Sequence, residues 1–418
     1  MNNDDLNCLV LSDENMSDDY LYEFLTLLRT AHYSPVKVAG QKVKEVNAKT
    51  YFGVGKIEEI KAVLDENREN IDVIATNFDL TALQQKTLSD YFKVDVVDRS
   101  FVILKIFELN AKTKEANLQV EIAKFNYLKS RLINDKASYS QVTSGSKHNK
   151  GEGEKKIELT RRKIDQAIWL KEQQLEEIRK SRSNMRKSRN ESVYPKIVVV
   201  GYTNAGKSTL LNRLLEFSHT KSDKMVLSQD ALFATLETST RLIESFEFPT
   251  FFITDTVGFV SNLPSYLVDA FKSTLEEIKE ADLILEVVDI SSPNYEEEIE
   301  ATQQVLDELS VSDVPILYLF NKSDKLVKLK TTLLEKNQMY TSLKDDKDIY
   351  DILTFLWNHL TTNWPKKNLL LPYASDFYKF KKENYVIRTV TKEDGHHCLA
   401  FLNPLTLYLY KDYFFNEE

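Results

Sequence analysis

Lys196-Ile197-Val198-Val199-Val200 runs directly into Gly201-Tyr202-Thr203-Asn204-Ala205-Gly206-Lys207-Ser208-Thr209, and then into Leu210-Leu211-Asn212-Arg213-Leu214-Leu215. The first run is short, β-branched and unbroken, as a parallel strand buried on both faces requires. The last run reads as a helix. The turn between them fits G-x-x-x-x-G-K-[ST], a loop whose backbone N–H groups cradle phosphate. Gly201 and Gly206 let the backbone curl so that those groups converge, and the new helix aims its positive end at the same point. Lys207 is expected to reach the β- and γ-phosphates, and the Ser208 hydroxyl to be a Mg2+ ligand.

Moving outward, Thr250-Phe251-Phe252-Ile253-Thr254 is a second strand and ends in Asp255-Thr256-Val257-Gly258. A carboxylate at a strand end can hold Mg2+ through water, and the N–H of Gly258 can sense a γ-phosphate. Further on, Ile316-Leu317-Tyr318-Leu319-Phe320 runs into Asn321-Lys322-Ser323-Asp324, an N-K-x-D pattern. A carboxylate at Asp324 can accept hydrogen bonds from both N1–H and the exocyclic amine of guanine. Adenine lacks both donors there, so the site should reject it, which disfavours a P-loop ATPase or kinase. Three motifs in this order, each at the end of an apolar run, imply a GTPase domain of α/β class with a central, mostly parallel sheet. The expected GTP/GDP contacts are Gly201 through Thr209, Asp255, Gly258, Asn321, Lys322 and Asp324. Lys207, Asp255 and Gly258 are expected to act at the γ-phosphate, with Asn204 stabilising the transition state from the loop.

A chain of 418 residues is too long for one core and suggests roughly three domains. Its 42% hydrophobic and 28% charged content is ordinary for a globular protein. Two cysteines, Cys8 and Cys398, argue against a disulfide scaffold. The acidic N-terminus (Asp4, Asp5, Asp13, Glu14) does not resemble a signal peptide, and no apolar run approaches the ~20 residues that span a bilayer. A cytoplasmic protein without a membrane span, and a monomer, is expected. The net charge of −9 argues against nucleic acid, but the charge is unevenly spread.

Residues 1–112 alternate strands and helices, as an N-terminal α/β domain would. The strand candidates are Cys8–Leu11, Val36–Ala39, Asp72–Ala75 and Val94–Val97. Gly53-Val54-Gly55-Lys56 opens a helix there; it reads either as an anion site or, preferably, as a tight turn with a surface lysine. Residues 113–192 suggest an antiparallel helical hairpin. Its first helix has apolar residues at 118, 122, 125, 128 and 132, and its second at 157, 164, 168, 175, 178 and 185, with a flexible polar tip at about 134–153. Ile178–Arg189 carries six basic residues and no acid, which suits either a phosphate-backbone contact or a solvated face. Residues 193–362 form the expected GTPase domain, and 363–418 a small aromatic-rich C-terminal α+β domain whose strands are expected near 386–391 and 397–402. His396-His397-Cys398 lacks a partner pair at metal spacing.

The chain resembles the HflX family, in the Obg–HflX group of translational GTPases. The phosphate loop above carries the likeness, together with Leu232-Phe233-Ala234-Thr235-Leu236, Asp255-Thr256-Val257-Gly258-Phe259 and Ala270-Phe271-Lys272-Ser273-Thr274-Leu275-Glu276-Glu277. Gly53–Lys56, Leu118-Gln119-Val120-Glu121-Ile122-Ala123 and Gly151–Arg162 resemble motifs outside the GTPase domain. The resemblance implies that Thr235 is a switch threonine closing on Mg2+ and γ-phosphate, with Phe233 beside the nucleotide. It also implies that Ser342 and Leu343 lie in the base-contacting loop, Leu343 standing where alanine is usual. The hairpin and N-terminal domain would bind ribosomal RNA of the large ribosomal subunit, and the GTP form would split stalled or idle ribosomes. Departures at Asn110, Glu152, Thr160 and Glu237-Thr238-Ser239-Thr240 suggest a divergent paralogue. The alternatives are protection of ribosomes against antibiotics at the peptidyl-transferase region, or large-subunit assembly. Phe259 stands where many GTPases carry a water-orienting glutamine, so slow hydrolysis stimulated by a partner is expected.

Overall fold

The computed structural model describes residues 5–142, 150–190, 192–218, 239–256, 258–260, 264, 266–267, 276–311, 313–326 and 335–415. They cluster into two compact units, one chiefly Met1–Arg182 and the other chiefly Ser183–Asp230, Ala234–Val260 and Lys272–Glu418.

In the first unit, β1 (Leu6–Asp13), β2 (Tyr33–Gln41), β3 (Val73–Thr76) and β4 (Asp95–Val97) form a parallel sheet in the order β2-β1-β3-β4. Each expected strand overlaps one of them. The helices between are α1 (Asp18–Thr30), α2 (Val54–Glu66), α3 (Ala82–Phe92) and α4 (Arg99–Asn110). Three of their starts are fixed by side chains that satisfy orphan N–H groups. Ser17 caps α1, Thr81 and Gln84 form a capping box on α3, and Asp98 caps α4. Leu9, Leu11, Ile57, Ile60, Ile74 and Leu88 close the core. At the start of α2, a side chain at Gly53 or Gly55 would meet nothing within 4 Å, so neither glycine is needed for a close approach. Lys56 is not the surface lysine expected: its side chain is only 10% exposed and donates to Glu59 at 2.7 Å.

Two long helices follow, α5 (Lys114–Val142) and α6 (Lys150–Asn190), of which α6 runs past Arg182 into residues grouped with the second unit. The ion pairs Lys171–Glu121 at 2.6 Å and Lys129–Asp165 at 2.5 Å run in opposite senses along the two helices, which makes them antiparallel. Ile122, Ile168 and Leu175 are their shared core, with Phe125 and Ile164 against it. The Tyr127 hydroxyl donates to Asp98 at 3.0 Å and Arg131 pairs with the same buried carboxylate, which anchors α5 to the start of α4. Two expectations for this hairpin are corrected. Leu128 is 47% exposed rather than on the buried stripe, because the face of α5 that packs includes Val120, Ala123 and Tyr127. The stretch 134–153 is helical at 134–142 and 150–153, with 143–149 outside the described residues. Lys150 and Glu152, which favour helix, flank Gly151 there.

In the second unit, β5 (Lys196–Val200), β6 (Ser239–Ile243), β7 (Phe251–Asp255), β8 (Leu283–Asp289), β9 (Ile316–Asn321) and β10 (Gln338–Tyr340) form a six-stranded sheet. Its order is β10-β9-β8-β5-β7-β6, and only β6 runs antiparallel to its neighbour. Helices α7 (Lys207–Phe217), α8 (Tyr295–Glu308) and α9 (Asp346–Leu360) accompany it, with Leu210, Leu214, Phe251, Leu285, Leu353 and Trp357 in the core. One polar side chain interrupts the apolar run of β8. Burial pushes the Glu286 carboxyl up to about 8, so it keeps its proton at neutral pH beside Thr302 and Gln303.

The C-terminal part pairs β11 (Lys366–Leu371), β12 (Tyr385–Lys392) and β13 (Gly395–Phe401) as an antiparallel sheet under α10 (Ala374–Glu383). Phe380 and Tyr410 lie in its core and Phe377, Tyr413 and Phe414 pack against it, whereas Tyr373, Tyr378 and Tyr408 are exposed. Among the described residues no helix is long and apolar enough to cross a membrane, and no acidic, histidine or cysteine cluster of metal-binding size occurs.

Candidate nucleotide site

The carboxyl ends of β5, β7, β8, β9 and β10 lie along one edge of the sheet, where ligands bind in open α/β folds. The turn after β5 is shaped by positive φ at Gly201 (136°), Asn204 (61°) and Gly206 (108°). A side chain at Gly201 would lie 2.2 Å from the Val287 carbonyl oxygen, and one at Gly206 2.2 Å from the Asn321 amide nitrogen. These two glycines are therefore required by close approach as well as by conformation. Ala205 is buried, whereas Asn204 and Thr209 are exposed.

Lys207 begins α7 and is 7% exposed. Its Nζ donates to the carbonyl oxygens of Gly201 at 2.9 Å and Tyr202 at 2.6 Å, so the ammonium lies inside the curl of the loop. Burial pushes this amine down to about 8. One residue on, Ser208 Oγ stands 3.4 Å from Oδ2 of the fully buried Asp255 at the end of β7. A hydroxyl and a carboxylate this close form a hard-oxygen pair of the kind Mg2+ takes while keeping several waters. Gly258 lies against Thr203 and Lys207: a side chain there would meet Thr203 Cγ2 at 2.8 Å and Lys207 Nζ at 3.0 Å. Phe259 is buried, and its backbone is paired with the loop through Thr203 N–H to Phe259 O at 2.8 Å.

On the base side, Asn321 donates to Ala205 O at 2.8 Å, while Lys322 donates to Asn204 O at 2.7 Å and pairs with Asp289 at 2.6 Å. The N-K-x-D segment thus braces the phosphate loop from below. Asp324 accepts from Lys344 at 2.5 Å, and that hydrogen bond holds its carboxyl below the usual range. Ser342 donates to Asp348 at 2.7 Å. Leu343 takes a left-handed φ of 58° and is buried with Cδ1 3.8 Å from the point where a Gly206 side chain would start.

The loop from Gly201 to Gly206, the first residues of α7, Asp255, Gly258, Asn321, Lys322, Asp324, Ser342 and Leu343 follow the carboxyl ends of β5, β7, β9 and β10, and Thr209 lies further along α7, exposed. Phe233 and Thr235 lie outside the described residues. Sequence reasoning missed Asp289, which orients Lys322, and the pairing of Lys344 with Asp324. The signal for Asp289 was available, since an acid closes the apolar run of β8.

Three family models match the chain: a GTP-binding GTPase N-terminal region over 18–108, a GTP-binding GTPase middle region over 110–189, and a 50S ribosome-binding GTPase over 196–322. GTPase HflX of Caldanaerobacter subterraneus subsp. tengcongensis is 37% identical over 380 residues, covering 90% of this chain and 86% of its own. GTPase HflX of Lacrimispora saccharolytica is 38% identical over 396 residues, covering 93% and 91%. A solved structure of a GTP-binding protein from Sulfolobus solfataricus in complex with GDP aligns with TM-score 0.45 and 23% identity, over 86% of this chain and 99% of that one.

Proposed function

We propose, from the premise that this chain belongs to the HflX family of GTPases, that it is a ribosome-associated GTPase whose nucleotide state controls binding to the large subunit and the separation of stalled or idle ribosomes. It binds guanine nucleotide and hydrolyses GTP. The observation that carries the ribosomal part is the pairing, in one chain, of the nucleotide site with helices of 29 and 41 residues, next to a segment matching a 50S ribosome-binding GTPase. The backbone of α6 continues through the basic block to Asn190. Its positive charge suits the RNA phosphate backbone, and binding through it should weaken steeply with salt.

Within the site, Lys207 neutralises the β- and γ-phosphates, the Gly258 N–H meets the γ-phosphate, Asn204 supports the transition state and Asp324 reads guanine. Ser208 and Asp255 would hold Mg2+, with Thr235 joining them; when bound, the ion neutralises phosphate charge. The lowered Lys207 amine gives a pH signature. Below about 8 the free protein carries the ammonium that phosphate needs; above it the amine is neutral, and binding must first take up a proton. GDP affinity is therefore expected to be flat at pH 6–7.5 and to fall towards about tenfold per unit above pH 8, as titration calorimetry would read.

The ribosomal proposal is tested by sedimenting mature ribosomes with the chain and a non-hydrolysable GTP analogue. The expected result is protein with the large subunit and a reduced intact-ribosome peak. Replacing Arg182, Arg186 and Arg189 by glutamate should abolish that co-sedimentation without changing GDP affinity. Sedimentation of the protein with no ribosomal particle, in either nucleotide state, would overturn the proposal.

A further inference from the structure

We propose that Thr203 is the water-positioning residue of this GTPase, its hydroxyl supplying what Phe259 cannot. Phe259 occupies the position after Gly258 with a buried ring that has no donor or acceptor. Thr203 is a polar side chain that lies against Gly258. It is 7% exposed, and its hydroxyl is buried without a hydrogen-bond partner among the described residues, an arrangement proteins rarely keep without cause. Its side chain reaches the place where it is needed. A Cβ built on Gly258 would lie 2.8 Å from Thr203 Cγ2, 3.1 Å from Thr203 Cα and 3.0 Å from Lys207 Nζ, so glycine, threonine and ammonium face one spot. Rotation about one side-chain bond, between ordinary staggered positions, exchanges the methyl there for the hydroxyl. The main chain is already held, because Thr203 N–H donates to Phe259 O and Phe259 N–H to Gly201 O.

The inference rests on the reading of Gly258 and Lys207 as γ-phosphate contacts. In the reaction, the water oxygen bonds to the γ-phosphorus while the bond from that phosphorus to the β–γ bridging oxygen breaks. The electron pair leaves with GDP, and the water's proton passes to a γ-phosphate oxygen. The Thr203 oxygen accepts from the attacking water, its own proton points to a γ-phosphate oxygen, and the hydroxyl ends the cycle unchanged.

Three proteins test this in the absence of ribosomes: wild type, Thr203→Val, which keeps the shape without the hydroxyl, and Thr203→Ser, which keeps the hydroxyl. Single-turnover GTP hydrolysis should fall about 100-fold in Thr203→Val and return to within about threefold in Thr203→Ser. GDP affinity should stay within about twofold in both, because the loop is expected to hold phosphate through its backbone N–H groups, and the valine protein should melt no lower than wild type, since the lost hydroxyl has no partner among the described residues. Wild-type hydrolysis by the valine variant would overturn the proposal. So would a serine variant as slow as the valine one, which would assign the effect to the methyl. A loss of GDP affinity in the valine protein would assign the hydroxyl to the bound nucleotide and also overturn the proposal, whereas wild-type GDP affinity in Lys207→Ala would count against the underlying reading of the loop as the phosphate site.

Discussion

Lys207→Ala is expected to lose GTP hydrolysis by about 1,000-fold, and GDP affinity by about 10- to 100-fold, in a protein that remains folded. The loss follows from position. Lys207 begins α7, and its ammonium lies within the loop, held by the Gly201 and Tyr202 carbonyl oxygens. The other lysine that reaches the loop, Lys322, donates to the Asn204 carbonyl oxygen and is already paired with Asp289, so on the proposed reading it does not replace the charge at the phosphates. Stability should move the other way. Burial disfavours the ammonium in the empty site, as its lowered titration shows, so truncation relieves a desolvation cost. Thermal unfolding without nucleotide should therefore be unchanged or raised, while the upward shift on adding GDP shrinks. Single-turnover hydrolysis within tenfold of wild type would remove Lys207 from the chemistry.

Asp324→Asn should exchange the base that the site accepts. On the proposed reading the carboxylate offers two acceptors to the N1–H and exocyclic amine of guanine. An asparagine there presents one acceptor and one donor, which suits the N1–H and 2-carbonyl of xanthine. The same substitution reaches beyond the base. Asp324 is held by Lys344 at 2.5 Å, and the neutral amide weakens that tie, loosening the Ser342–Lys344 turn. GTP affinity should fall at least about 100-fold, with xanthosine triphosphate hydrolysed in its place. Unchanged selectivity in competition binding would show that another group reads the base.

The parts of the fold that could be read in the sequence are those where a local rule and the tertiary environment agree. Ile197, Val198, Val199 and Val200 are all buried because both faces of β5 are covered, and the unbroken β-branched run reports that directly. The glycines at 201 and 206 were legible for the same reason, since φ and close approach both demand them. Leu128 misled because a stripe at helical spacing says nothing about how wide a face its partner covers. The polar stretch near 134–153 misled because glycine and serine mark loops only when neighbouring helix formers do not outweigh them. The pairings Lys322–Asp289 and Lys344–Asp324 join residues 33 and 20 positions apart; the acid closing the β8 run marks Asp289 as a candidate, but no local pattern names either partner. The lone hydroxyl of Thr203 is invisible without coordinates.

The most direct measurement is titration of the nucleotide-free chain with GDP and, separately, with ADP under the same Mg2+ and pH. With Asp324 as the reader of guanine and the curled loop after β5 as the phosphate cradle, GDP should bind at least about 100-fold more tightly than ADP. Equal affinities for the two nucleotides would contradict the account at its centre.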